Sequence, residues 1–317
     1  MEEVLVLGLP SIMPALESLY SHKYKFLKLF NSKLSLLPFL QTQNVTPSSI
    51  RAILSNPLQA LTADLLRLLP AVALIITTSV GTDHIDLLEC RRRSIQVLSV
   101  REGSSADDVA EFAVGLLIDA LCKISAADRH IRKCVSYNFP LPSNSKLGGK
   151  RVGIVGLGRI GGEVAKRLEA FDCRVMYHSR KEKPFVSYPF CSNVVELAGN
   201  SDILVVCCSL NEQTRHIINR EVMLALGKDG VIVNVGRGAL IDEKELVGCL
   251  MEREIRGAGL DVFENEPNVP KDLFALDNVV LTPHAASLTN ESSKKKYELV
   301  AESLDTFFAS KPPVTPE

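Results

Sequence analysis

Short apolar runs rich in β-branched residues alternate with stretches of helical spacing through the first third of the chain. EVLVLGL, KYKFLKLF, IRAILSN, AVALIITTS and IQVLSV predict five strands, with helices at PALESLYS and LTADLLRLL among them. That alternation belongs to a parallel α/β sheet, and five strands suffice for a small open sheet of their own. The longest apolar stretch, Leu65 to Val80, is broken by Arg67 and Pro70 and falls short of the roughly 20 residues of a bilayer span, so it predicts a buried strand. Val109, Phe112, Ala113, Leu116, Leu117 and Ala120 then recur with a period near 3.6 and predict a long helix from about Ser104 to Lys123.

A polar stretch with Pro140, Pro142, Asn144 and Gly148–Gly149 separates this helix from RVGIVGLGRIGGEVAKRLEAF, which reads as strand, glycine turn and helix in succession. CRVMYHS, DILVVCC, GVIVNVG, AGLDVF and NVVLTPH predict further strands, so the second half forms a doubly wound sheet. ESSKKKYELVAESLDTFFA is amphipathic, which allows it to pack back on the first domain. Lys294 to Lys296 are expected on its solvated face, and Arg91 to Arg93 near a helix end.

Composition narrows the classes. A length of 317 residues predicts about two domains of roughly 150 residues each. With 46% hydrophobic residues and a formal charge of −1, a sizeable core is available without the field that nucleic acid or anionic lipid would need, and neither is an expected partner. MEEVLVLGLP lacks the basic start of a secretory signal and PPVTPE lacks a peroxisomal address, which makes the cytoplasm the expected location. The eight cysteines form no CxxC pair and no metal-ligand spacing with the six histidines. Reduced thiols and no metal are expected, with Cys207 and Cys208 as small hydrophobes in a strand.

Candidate chemistry begins at Gly156, Gly158 and Gly161, with Arg159 and Ile160 between them, which fit G-x-G-x-x-G in its strand-to-helix setting. The first glycine permits a tight turn, the second close approach to a pyrophosphate, the third close helix packing, and the helix N-terminus faces the anion. An isolated match would read as an ordinary glycine turn; the setting favours a dinucleotide. After the next strand stands Ser179-Arg180-Lys181, without the acid that would accept from the ribose hydroxyls of NAD. A hydroxyl, a guanidinium and an ammonium suit a 2′-phosphate, so NADPH is expected over NADH. Farther on come Arg237 in NVGRG, Glu266 in ENEP and His284 in PHAAS. Hydride transfer to a carbonyl needs a fixed cation for the developing charge and a proton donor for the alcohol, and a carboxylate beside the histidine would hold its tautomer and favour its protonated form. Singly, Arg237 fits a surface ion pair, Glu266 a turn residue before Pro267 and His284 a core histidine; together they fit one reaction.

GLGRIG, SLNEQTRHIIN, NVGRGALIDEKEL, GAGLDVFENEP and LTPHAAS, preceded by TTSVGTDHIDL and SSADDVAEFAVGLLI, stand in the order seen in the D-isomer-specific 2-hydroxyacid dehydrogenases, which this chain resembles over most of its length. The Ser179-Arg180 pair resembles the glyoxylate/hydroxypyruvate reductase branch, including plant hydroxypyruvate and hydroxyphenylpyruvate reductases. The resemblance implies a Rossmann cofactor domain at 100–287 and a discontinuous flavodoxin-like substrate domain at 1–99 and 288–317, with a 2-oxo acid bound in the cleft between them. Val80 and Gly81 then match the amides that receive the substrate carboxylate. Arg237 matches the residue that orients that carboxylate and polarises the 2-oxo group, His284 the proton donor and Glu266 its partner. Asp261 matches the acid that binds the nicotinamide carboxamide, and Ser209, Thr214, Val235, Gly236 and His284 fall at further cofactor contacts. Ala286 stands where many reductase members carry glycine. NADPH-dependent reduction of glyoxylate, hydroxypyruvate or hydroxyphenylpyruvate to the D-2-hydroxy acid is implied, by a homodimer paired through the long helix. A nucleotide-sensing, corepressor-like protein is the alternative on the same fold, and formate oxidation is disfavoured because formate-oxidising relatives carry glutamine where Glu266 stands.

Overall fold

Continuous apolar runs must be covered on both faces, and the computed structural model covers them with helices in two compact units, Met1–Ser104 with Leu288–Glu317, and Ser105–Ser287. It describes residues 1–8, 11–57, 59–79, 81–99, 106–133 and 144–309.

In the first unit, β1 (Glu2–Val6), β2 (Tyr24–Lys28), β3 (Ala52–Ser55), β4 (Leu74–Thr77) and β5 (Gln96–Ser99) form one parallel sheet in the order β2-β1-β3-β4-β5, the flavodoxin-like arrangement. Every residue of β3 and β4 is buried. Its helices are α1 (Met13–Tyr20), α2 (Leu36–Thr42), α3 (Ala63–Arg67) and α4 (Leu87–Arg92). The apolar stretch from Leu65 is therefore only partly strand. Thr62 accepts from the Leu65 amide and starts α3, while Arg93 donates to the carbonyl of Leu66 in its last turn and to those of Leu69 and Pro70 beyond its end, so the chain turns before β4 begins. Arg93 is thus a structural donor.

The second unit carries β6 (Arg151–Val155), β7 (Arg174–His178), β8 (Ile203–Val206), β9 (Val231–Asn234), β10 (Gly257–Leu260) and β11 (Val279–Leu281), all parallel, in the order β11-β10-β9-β8-β6-β7. Beside β7 the sheet is extended only by an isolated parallel bridge between Tyr177 and Phe190. The winding reverses between β6 and β8, which opens a crevice at their carboxyl ends. Around this sheet lie α5 (Ala106–Cys122), α6 (Ile124–Arg132), α7 (Arg159–Glu169), α8 (Val194–Gly199), α9 (Arg220–Leu226) and α10 (Glu243–Met251). The apolar face of α5 packs on β9, β10, β11 and α7, and eight of its residues, Val109 and Leu117 among them, are buried there. It stops at Lys123, whose φ of 58° is left-handed.

The last helix, α11 (Asn290–Ala309), belongs to the first unit and sets Val300 and Leu304 among the core residues of β1, β3 and β4. Lys23 donates to Asp305 at 2.8 Å, and Arg51 lies over the rings of Phe307 and Phe308. Lys294 and Lys295 are exposed as expected, but Lys296 is buried, because it lies one turn before Val300 on the core face.

Candidate active site

Within the second unit, the carboxyl ends of all six strands carry the residues singled out by sequence. Gly156 follows β6, Ser179 follows β7 and Ser209 lies beyond β8; Val235 to Arg237 follow β9, Asp261 follows β10 and His284 lies just past β11. Parallel strands aim their ends at one crevice, so residues more than a hundred positions apart are brought to one side of the sheet.

The glycine turn fits a dinucleotide. Gly156 has φ +98°, and a Cβ there would fall 2.5 Å from the Cα of Cys208 on the neighbouring strand's extension. Gly158 caps α7 and has nothing within 4 Å of where its Cβ would stand, so its backbone is approachable. A Cβ on Gly161 would meet the Gly156 carbonyl at 2.3 Å, which explains how α7 starts so close under the turn. Arg159 opens α7 at the surface and Ile160 is half-buried against the core, whereas Val235 is buried, which leaves it only its backbone for a cofactor. Arg180 and Lys181 are exposed, and Ser179 Oγ donates to the Lys181 carbonyl at 2.7 Å. No acid stands at the end of β7. Thr214 Oγ1 donates to the Ser209 carbonyl at 2.8 Å and accepts from the Asn211 amide, tying that loop together.

Glu266 and His284 meet, and Glu266 feels the charge of Arg237. His284 Nδ1 donates to Glu266 Oε2 at 2.8 Å, leaving Nε2 as the ring atom available for exchange with a substrate. Glu266 Oε1 accepts from the Phe263 amide at 3.0 Å. Burial pushes the Glu266 carboxyl up, but the hydrogen bond and charge of His284, the Phe263 amide and the charge of Arg237 together hold it below the usual carboxylate range. The Arg237 charge thus reaches the same carboxylate that orients His284.

Local sequence explains the convergence. Gly238 cannot carry a side chain, since its Cβ would overlap the Phe263 carbonyl carbon at 1.9 Å; this close approach sets the NVGRG turn against the segment leading to Glu266. His284 has φ +53°, held by its amide's bond to the Asp261 carbonyl at 2.8 Å. A non-glycine residue in that region is uncommon and its strain must be supported by neighbours. Asp261 is that support. Only 1% exposed, it accepts from Thr282 Oγ1 at 2.7 Å, from the Ala285 amide at 2.7 Å and from the Ala286 amide at 3.0 Å, and burial pushes its carboxyl up against those bonds. Ala286 is itself buried in the core, so its methyl packs inward.

Two residues here escaped the sequence reading. Asn234, buried at the end of β9, donates to the Arg237 carbonyl at 2.9 Å and accepts from the Gly236 amide at 3.0 Å, clamping the turn that bears Arg237. Thr282 serves Asp261. Both stand inside the quoted motifs, and a polar side chain at the end of an otherwise apolar strand was the available sign. In the first unit, Gly81 lies in the loop after β4, where its carbonyl accepts from Ser79 Oγ, and Thr77 Oγ1 is 3.2 Å from His84 Nε2; Val80 lies outside the described residues. Among the described residues no group of three or more His, Cys, Asp or Glu is placed to hold a metal ion.

Comparison with known proteins gives this geometry its kinship. Residues 114–286 match the family described as D-isomer specific 2-hydroxyacid dehydrogenase, NAD binding domain. A glyoxylate/hydroxypyruvate reductase of Arabidopsis thaliana is 46% identical over 314 residues, 99% of this chain and 96% of that protein. The chain belongs to the D-isomer specific 2-hydroxyacid dehydrogenase family. The hydroxyphenylpyruvate reductase of Plectranthus scutellarioides, another relative, is 47% identical over 84% of this chain and 85% of its own length. Among solved structures, the NADPH-dependent glyoxylate/hydroxypyruvate reductase of Sinorhizobium meliloti, in complex with NADP and malonate, superposes with a TM-score of 0.85 at 32% identity, over 99% of this chain and 96% of that one. The dehydrogenase fold, two parallel α/β sheets with helices, is thus shared along the whole chain. Among the described residues no helix is long and apolar enough to cross a membrane.

Proposed function

We propose that this dehydrogenase reduces a small 2-oxo acid to the D-2-hydroxy acid with NADPH. The contact between His284 and Glu266 within the field of Arg237, at the carboxyl ends of β9 to β11, carries the reading. The names of the relatives, glyoxylate/hydroxypyruvate and hydroxyphenylpyruvate reductases, favour a reductase over the nucleotide-sensing alternative. Bound NADPH supplies the hydride to C2. Arg237 stabilises the negative charge that grows on the 2-oxo oxygen and pairs with the substrate carboxylate. His284 gives its Nε2 proton to that oxygen and ends neutral, still donating from Nδ1 to Glu266. Arg180, Lys181 and Ser179 are the proposed receivers of the 2′-phosphate, and Asp261, besides supporting His284, the proposed acceptor for the carboxamide.

Mixing the protein with NADPH and, in turn, glyoxylate, hydroxypyruvate, pyruvate and 4-hydroxyphenylpyruvate should consume the reduced nicotinamide absorbance with at least one of them. Unchanged absorbance with all four overturns the proposal.

A homodimer is the proposed assembly. The core of the second unit absorbs most of the apolar face of α5, and Phe112 and Ile118, half-buried at its edge near the open Gly115, are the proposed face for a second copy. A monomeric mass by light scattering at micromolar protein would refute it. The free cysteines among the described residues fit a reducing compartment, and the cytoplasm is the proposed one; imaging of a tagged full chain tests this.

A further inference from the structure

The amino-terminal ends of β9, β10 and β11, opposite the reaction end of the same sheet, border a cleft of about 460 Å³. Its charged lining is Lys123, Lys228, Arg253 and Arg256 against Asp229 and Asp277. The two carboxylates are exposed and already engaged: Asp229 lies 3.6 Å from Arg256, and Asp277 3.3 Å from Arg129, which is not part of the lining. Positive charge is therefore in excess.

Lys123 is the informative member. Its left-handed backbone at the junction of α5 and α6 turns the side chain inward, where it is only 4% exposed. Its Nζ is buried and has no hydrogen-bond partner among the described residues. It rests against the bare backbone of Gly257, at the start of β10, where a Cβ would stand 3.3 Å away. Asp119, one turn earlier on α5, is occupied by the amide and hydroxyl of Ser125. Burial, then the charge of Arg256, pushes the Lys123 amine down, with Asp119 and Asp277 drawing it the other way. A buried ammonium without an acceptor is costly, and most buried charges are paired. The chemistry that would relieve it is an anion with several acceptor oxygens, small enough for the cleft and able to meet an ammonium and a guanidinium at once.

We propose that this cleft binds a small phosphate dianion, free or as the phosphate ester of a short polyol, with Lys123 and Arg256 as its inner ligands and Lys228 and Arg253 at its mouth. The site is separate from the Ser179–Lys181 loop and does not depend on the reductase activity, so either can fail alone.

Calorimetric titration of the full chain, kept in excess NADP so that the Arg180 region is filled, reads it directly. Inorganic phosphate and glycerol 3-phosphate are titrated at constant ionic strength. Saturable binding of one equivalent is expected, weakened at least tenfold by Lys123→Met and about three- to tenfold by Lys228→Ala or Arg253→Ala. Tighter binding of the ester identifies an organic phosphate as the ligand; tighter binding of inorganic phosphate identifies the free ion. In phosphate-free buffer Lys123→Met should melt no lower than the wild type, and phosphate should raise the wild-type melting temperature but not the variant's. If Lys123→Met does not fold, the two surface variants decide. Absence of saturable binding by both anions, or affinity unchanged in every variant that folds, overturns the proposal.

Discussion

At the carboxyl ends of β9, β10 and β11 the key charges are tied to one another: Glu266 holds His284 and feels Arg237, and Asp261 gathers three donors from the segment around His284. At the amino ends of the same strands cations outnumber carboxylates, and the Lys123 ammonium has no acceptor among the described residues. The difference teaches how one sheet serves two purposes. A saturated network fixes geometry, which proton and hydride chemistry demands. An unsaturated one leaves its last bond for an ion from outside.

The comparison can be broken most severely at the saturated end. Replacing His284 by alanine should lower kcat by about 10²–10⁴-fold, and Arg237→Ala should lower kcat while raising KM, because it serves both the carboxylate and the developing charge; steady-state assays over the four 2-oxo acids would show it. Next in size is Arg180→Ala, expected to weaken NADPH by about 10- to 150-fold while sparing NADH. An unchanged preference between the cofactors would remove Arg180 from the site. Gly238→Ala, which drives a methyl into the Phe263–Glu264 peptide, should cost about 1–3 kcal/mol in denaturant unfolding. The smallest effect belongs to Thr282→Val, which takes one of three donors from Asp261 and should cost about 0.5–1.5 kcal/mol.

Much of this architecture was legible because its signs are local. Strand, glycine turn and helix are contiguous around GLGRIG, and both sheets follow from their alternating runs. Where the reading went astray, the deciding contact was distant in sequence. Of the apolar stretch that starts at Leu65 only Leu74–Thr77 is strand, because α3 runs to Arg67 and Arg93 holds the carbonyls after it. Lys296 looked solvated beside its lysine neighbours, yet helical phase puts it on the face of Val300. The reactive trio was found by residue type, but its support was not. Asn234 and Thr282 act through partners that only folding brings near, and the left-handed backbone of His284 has no sequence mark. The amino-end cleft left no motif at all, since its four cations come from three connections far apart in sequence.

The most direct test of the account is the pH dependence of 2-oxo acid reduction in the wild type and in Glu266→Gln. Glu266 is held below the ordinary carboxylate range, so it is ionised at neutral pH; the stabilisation it gives by pairing is present there and is lost only as the pH falls through its lowered value. Reduction needs that anion beside His284, so the wild-type rate should fall as the pH drops through this lowered value and Glu266 gains a proton. In Glu266→Gln this acid limb should be missing and kcat lower across the range, with NADPH affinity little changed. Superimposable profiles for the two proteins would contradict the claim that Glu266 sets the proton donor of this site.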